Sequence, residues 1–179
     1  MKYLIASDIH GSARACRQLL DRFREEKADG LILLGDTLYH GPRNPLPQGY
    51  DPKAVFTMLN EYREVITAVR GNCDAPVDQW VLEFPIMADY RLLTLGQRRL
   101  FLTHGDRWSA ENPPALPEGS VLICGHNHLA AAEQRQGFYY LNPGSPALPH
   151  DDFRGYLTAE DTGAALKTLA GETVKRLTW

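Results

Sequence analysis

No apolar run in the sequence approaches the ~20 residues that a membrane-crossing helix needs. Nor are there five like charges in succession. With a net charge of −3, this argues against a dedicated nucleic-acid surface and against an anionic-membrane binder. Cysteine is scarce: Cys16, Cys73 and Cys124 are odd in number and far apart, which disfavours both a disulfide framework and a zinc site built from cysteine alone. Internal repeats, low-complexity tracts and linkers are absent, so residues 1–179 are expected to form one domain, long enough to bury most of its apolar surface. Met1-Lys2 leads straight into a strand-like run rather than a signal peptide, so a soluble, cytoplasmic protein is expected.

What is present is a rhythm of short apolar runs, each closed by glycine and a polar residue. Tyr3 to Ser7 is β-prone and ends in Asp8-Ile9-His10-Gly11. Ser12 can cap a helix whose apolar positions are Ala15, Leu19, Leu20 and Phe23, with Gly30 as its stop. Leu31 to Leu34 is a second apolar strand, ending in Gly35-Asp36. A long loop, Thr37 to Asp51, is stiffened by three prolines. Pro52 opens a second helix carrying Val55, Met58 and Leu59 on one face. Val65 to Val69 then leads into Gly71-Asn72-Cys73-Asp74.

This β-α-β-α-β order predicts a parallel sheet covered on both faces. A hairpin follows, Tyr90 to Leu95 and Arg98 to Thr103 about Gly96-Gln97, ending in His104-Gly105-Asp106. A loop with Pro113, Pro114 and Pro117 leads to Val121 to Cys124, which runs into Gly125-His126-Asn127-His128. Strands are also expected at Phe138 to Leu141, Tyr156 to Ala159, Ala164 to Leu169 and Thr173 to Leu177.

Asp8, His10, Asp36, Asn72, His104, His126 and His128 all stand at predicted strand ends. Taken singly, each has a structural explanation: Asp8 as a cap, Gly35-Asp36 and Gly71-Asn72 as ordinary turn dipeptides, His104 as a hydrogen-bonded loop residue. Ligands in open α/β folds bind beyond the carboxyl ends of the strands, where these side chains would meet. Seven N and O donors are too many for one tetrahedral zinc. They suit two ions, and mixed imidazole, carboxylate and amide favours manganese, iron or zinc over calcium or copper(I).

The pattern Asp8-x-His10, Gly35-Asp36, Gly71-Asn72, His104 and Gly125-His126-x-His128 resembles the signature of calcineurin-like metallophosphoesterases. Ser7-Asp8-Ile9-His10-Gly11, Gly71-Asn72-Cys73-Asp74 and Tyr39 to Asn44 are similar, more narrowly, to small bacterial YfcE-type phosphodiesterases. The resemblance implies an α/β fold, a four-layer α/β/β/α sandwich of two packed mixed sheets flanked by helices. It implies that Asp8, His10, Asp36 and His128 hold one divalent ion, and that Asp36, Asn72, His104 and His126 hold the other. Manganese is the first expectation, with zinc, iron or nickel as alternatives.

Asp36, Asn72 and His104 are the expected catalytic residues, around a metal-bridging hydroxide as nucleophile. The implied substrate is a small-molecule phosphodiester, with neither nucleic acid nor membrane as partner; a homo-oligomer is left open. Arg43, Asn44 and Cys73 are the candidate substrate contacts. Many relatives carry His where Cys73 stands, and a thiol is a poor substitute for an imidazolium donor. Cys73 also has a structural reading as a buried thiol. Asp106, where relatives often have His, makes the rim more acidic. Asn142 to Ser145 resembles a turn beneath the site, with Ser145 in support. His40 lies in the stiff loop, in a pocket-lining or a surface role; His150 is given no role. The alternatives to a diesterase are a phosphomonoesterase and a non-catalytic scaffold of the same fold, which would have an incomplete ligand set.

Overall fold

The structure, a computed structural model, describes residues 1–179. β1 (Tyr3–Ala6) supplies two cores at once, because successive side chains of a strand point to opposite faces. Leu4 and Ala6 face α1 (Ala13–Glu25), whereas Ile5 faces a second sheet. β2 (Gly30–Leu33) alternates in the same way, which is why it is apolar throughout. α2 (Pro52–Asn60) adds Val55 and Leu59 to the helix-side core, and β3 (Ile66–Ala68) extends the parallel run. Ser12 and Asp51 cap the two helices by accepting from the Ala15 and Ala54 N–H groups. α1 stops at Glu25, short of Gly30, because Lys27 turns the chain through a left-handed conformation at φ 50°.

The second sheet begins with the expected hairpin, β4 (Tyr90–Leu95) and β5 (Arg98–Thr103). β6 (Ser120–Ile123) pairs parallel with β5. β7 (Ala130–Gln134) follows, a strand that sequence analysis did not anticipate. Its Ala-Ala-Ala-Glu-Gln composition suits a helix. Antiparallel pairing with β8 (Phe138–Pro143) and complete burial of Ala132 override that preference. The chain then returns to the first sheet with β9 (Gly155–Glu160), β10 (Gly163–Thr168) and β11 (Thr173–Thr178). The strand orders are β11-β10-β9-β1-β2-β3 and β4-β5-β6-β8-β7, both mixed.

The expected α/β sandwich of two packed mixed sheets is the fold that forms. Both helices lie against the first sheet; the outer face of the second is covered by Trp108, Ala110 and Leu116 of a loop, packed on Phe101, Leu122 and Tyr140. No helix is long and apolar enough to cross a membrane. The parallel strands β1, β2 and β3 of one sheet and β5, β6 and β8 of the other end at a shared edge, where the N–H of His126 donates to Asp8 Oδ2 at 2.9 Å and Ser145 Oγ donates to the Asp8 carbonyl at 2.7 Å.

Candidate metal centre

Six non-glycine residues in the chain have positive φ, and five of them are Asp8, His10, Asp36, His126 and His128. Left-handed backbone costs an L residue roughly 1–2 kcal/mol, so this concentration at the strand ends marks a place where the fold tolerates strain to turn side chains sharply. The sheets meet so closely there that a Cβ on Gly125 would lie 2.0 Å from Ser7 Oγ and 2.5 Å from Asp8 Oδ2.

The structure brings all seven strand-end side chains together in two groups that share Asp36. In the first, His128 Nε2 lies 3.3 Å and His10 Nε2 3.6 Å from Asp8 Oδ1, and the two Nε2 atoms are 3.1 Å apart. In the second, His104 Nε2 lies 3.0 Å from Asn72 Oδ1 and 3.2 Å from His126 Nδ1. Asp36 Oδ2 stands between the groups, 3.7 Å from His10 Nε2 and 3.5 Å from His104 Nε2.

Three of the imidazoles are pinned from behind. Nδ1–H donates to the Tyr39 carbonyl from His10 (2.8 Å), to Leu148 from His128 (2.5 Å) and to Leu34 from His104 (2.7 Å). In a neutral ring that assignment leaves Nε2 as a bare lone pair aimed into the cluster, the arrangement typical of metal-binding histidine. Acceptor therefore faces acceptor. Asp8 Oδ1 is buried and has no hydrogen-bond partner, although both Nε2 atoms stand within 3.6 Å of it.

The local fields follow from this crowding. Burial would raise the Asp8 pKa, but His10 and His128, with the charge of His104, hold it well below the usual carboxylate range. Burial would lower His10 and His104; the carboxylate charges of Asp8 and Asp36 outweigh it and raise both. His126 is lowered, by burial and by its neighbour His104. A buried oxygen without a donor, lone pairs converging on it, and His10 and His104 drawn toward the charged form all suit a bound positive charge. Imidazole, carboxylate and amide donors suit divalent ions of intermediate softness.

The remaining candidate residues surround this cluster. Cys73 Sγ lies within 4.8 Å of ligand atoms of His10 and Asp36. Burial and then the Asp36 charge push its thiol up to about 12. Asn44 donates to the His40 carbonyl at 2.9 Å, while Arg43 is exposed on the same loop. His40 packs edge-on against Tyr39 and Tyr50 and is not part of the cluster. Asp106 is exposed beside a cavity of about 360 Å³ that it lines with Arg70, Asp89 and Arg107.

Two residues exceed what the sequence indicated. His150 stacks on His128 with ring centroids 4.7 Å apart. Asp74, quoted only as part of a motif, is buried and accepts N–H bonds from Asp36, Thr37 and Gly71; burial nevertheless raises its pKa. Its place directly after Gly71-Asn72-Cys73 was the available signal. The carbonyl partners of the histidines leave no trace in residue types.

The family profile of the calcineurin-like phosphoesterase superfamily domain matches residues 1–163. Phosphodiesterase YfcE of Escherichia coli K12 is 50% identical over 149 residues, covering 83% of this chain and 81% of that protein. A solved structure of the E. coli phosphoesterase Yfce matches with a TM-score of 0.96 and 43% identity, over 99% of both chains. The probable metallophosphoesterase YsnB of Bacillus subtilis 168 is 30% identical over 177 residues, covering 93% of this chain and 89% of that protein. The chain, with its strand-end cluster of histidine, carboxylate and amide, belongs to the calcineurin-like phosphoesterase superfamily.

Proposed function

We propose that the chain hydrolyses a small-molecule phosphodiester at a pair of divalent cations. The observation that carries this reading is the position of Asp36 Oδ2, shared at 3.7 and 3.5 Å between His10 and His104 of two adjoining acceptor groups. Asp8, His10, Asp36 and His128 would hold one ion; Asp36, Asn72, His104 and His126 would hold the other. Manganese is the first choice, with zinc, iron or nickel as alternatives. When bound, such a pair supplies a hydroxide near neutral pH and neutralises charge on the phosphoryl oxygens in an in-line displacement.

The protein's own part is orientation. The Cys73 N–H donates to Asp36 Oδ1 at 2.7 Å, which leaves Oδ2 to face both groups. The carbonyls of Tyr39, Leu148 and Leu34 fix three ring planes, so little reorganisation is needed at the moment of reaction. Asn72 is exposed at the mouth, beside Cys73, and Arg43 has its guanidinium free in solvent to meet the unesterified oxygen of a diester. Asn44 would add an amide N–H from the same loop.

Cys73 offers the departing group no strong acid, because a neutral thiol is a weak donor. Turnover should therefore be slow and fall steeply as the leaving group becomes less acidic, with aryl diesters far ahead of alkyl ones. The same thiol weighs against a phosphomonoesterase, and the complete set of seven side chains weighs against a scaffold. Three unpaired cysteines fit the reducing cytoplasm.

The test is hydrolysis of an activated aryl diester and a series of alkyl diesters by protein stripped with chelator and reloaded with manganese. Manganese-dependent cleavage with a steep leaving-group dependence is expected. No manganese-stimulated cleavage of even the aryl diester would favour the scaffold, and a flat dependence would remove Cys73 from the account.

A further inference from the structure

We infer that Asp74 is a positioning residue: its carboxylate clamps the turns after β2 and β3 together and thereby sets where Asp36 and Asn72 stand. The inference rests on the two-ion reading above. Asp74 Oδ2 accepts the N–H of Asp36 at 2.9 Å and of Gly71 at 2.7 Å, and Oδ1 accepts the N–H of Thr37 at 2.9 Å. The clamp is reciprocal, because Asp36 Oδ1 accepts the N–H of Cys73 at 2.7 Å. Each turn thus uses a carboxylate to hold the backbone of the other, across 37 or 38 positions of sequence.

Three features make this more than general packing. Asp36 has a left-handed backbone at φ 53°, and its N–H and that of the next residue are both held by Asp74. With Oδ1 of Asp36 engaged by Cys73, its Oδ2 is the oxygen that faces His10 and His104. The fit also has no slack, since a Cβ on Gly71 would come 2.1 Å from Asp36 Oδ1. Asparagine cannot reproduce the clamp. Its single oxygen can serve the Asp36 and Gly71 donors, but its NH₂ group then meets the Thr37 N–H donor to donor.

The experiment compares wild type, Asp74→Asn and Asp74→Ala, stripped and titrated with Mn²⁺ by calorimetry. Circular dichroism and thermal melting monitor the fold, and electron paramagnetic resonance reads the loaded state. In both variants we expect a native spectrum and weaker binding at both sites, since Asp36 serves both. The loss should be small for the ion that keeps Asp8, His10 and His128, and about 10–100-fold for the ion held with Asn72. The exchange-coupled signal of a manganese pair should give way to that of isolated ions, with Asn less severe than Ala. If the alanine variant does not fold, the asparagine variant decides.

Two wild-type-like affinities with a wild-type spectrum in the variants would overturn the inference. So would a loss spread equally over both ions in step with a lower Tm, which marks simple destabilisation. A wild type that binds fewer than two ions would instead overturn the two-ion reading, and the inference with it.

Discussion

Glu26 closes α1 at one end of the first sheet, and Asp8 leaves β1 at the other. Both carboxylates are withdrawn from solvent, but their surroundings differ. Glu26 Oε2 accepts from Lys2 Nζ at 2.5 Å, and Oε1 accepts from Tyr156 Oη at 2.9 Å and from Lys167. Burial pushes its pKa up, yet Lys167, Lys2 and Tyr156 prevail and hold it at about 2. Asp8 accepts one backbone N–H on Oδ2, while Oδ1 faces imidazole lone pairs with no donor. Around Glu26, which serves only the fold, the chain supplies the cations. At the strand ends it supplies acceptors, left-handed backbone and a deficit of positive charge. That donor set, unlike the one around Glu26, suits a cation supplied from outside the chain.

The contrast is broken most severely at Asp36. Asp36→Ala should lower kcat on an aryl diester by about 10³-fold, whereas Glu26→Gln should change it less than about twofold; steady-state kinetics at saturating manganese measure both. Next comes the ion itself. Manganese at 100 times its Kd should stabilise the wild type by about 2.7 kcal/mol for each site filled, read as a rise in Tm that chelator reverses. Glu26→Gln should retain that increment in full.

Glu26→Gln should itself cost about 1–2 kcal/mol with or without metal, since Lys2 and Lys167 can still reach water. Its pH signature has a definite sign. The folded pKa, about 2, lies below the ordinary value of 4.5, so the contribution is complete above 4.5 and is lost as pH falls toward 2. Urea melts at stepped pH should show a shallower acid limb in the variant. The smallest effect is expected from His126→Gly. The variant relieves a left-handed residue at φ 70° whose ring has no carbonyl partner, so metal-free stability should move by no more than about 1 kcal/mol. A loss of several kcal/mol in chelator would mean that the ring is structural.

Much of this was legible in the sequence because strands and their ends announce themselves. Apolar runs such as Leu31 to Leu34 and Val121 to Cys124, each closed by glycine and a polar residue, located β2 and β6 and the side chains that leave them. Composition gave no signal where tertiary context decides. No strand was expected at Ala130 to Gln134, an alanine-rich run without alternation that nonetheless pairs with β8. The second sheet's outer layer is a loop held by Trp108 and Leu116, with nothing periodic to signal it. The supports of the cluster were hidden for another reason: the carbonyls of Leu34, Tyr39 and Leu148 are backbone atoms, and any residue type could provide them. Asp74 was visible as a letter but not as a clamp, since its partners are N–H groups on a turn more than thirty positions away.

The most direct test of the strand-end cation site is anomalous diffraction from crystals soaked in manganese. Two peaks should appear within coordination distance of the cluster, one on either side of Asp36, with Asp8 Oδ1 turned toward the first. Native-like side-chain positions around an empty cavity, or manganese bound only elsewhere on the surface, would contradict the account.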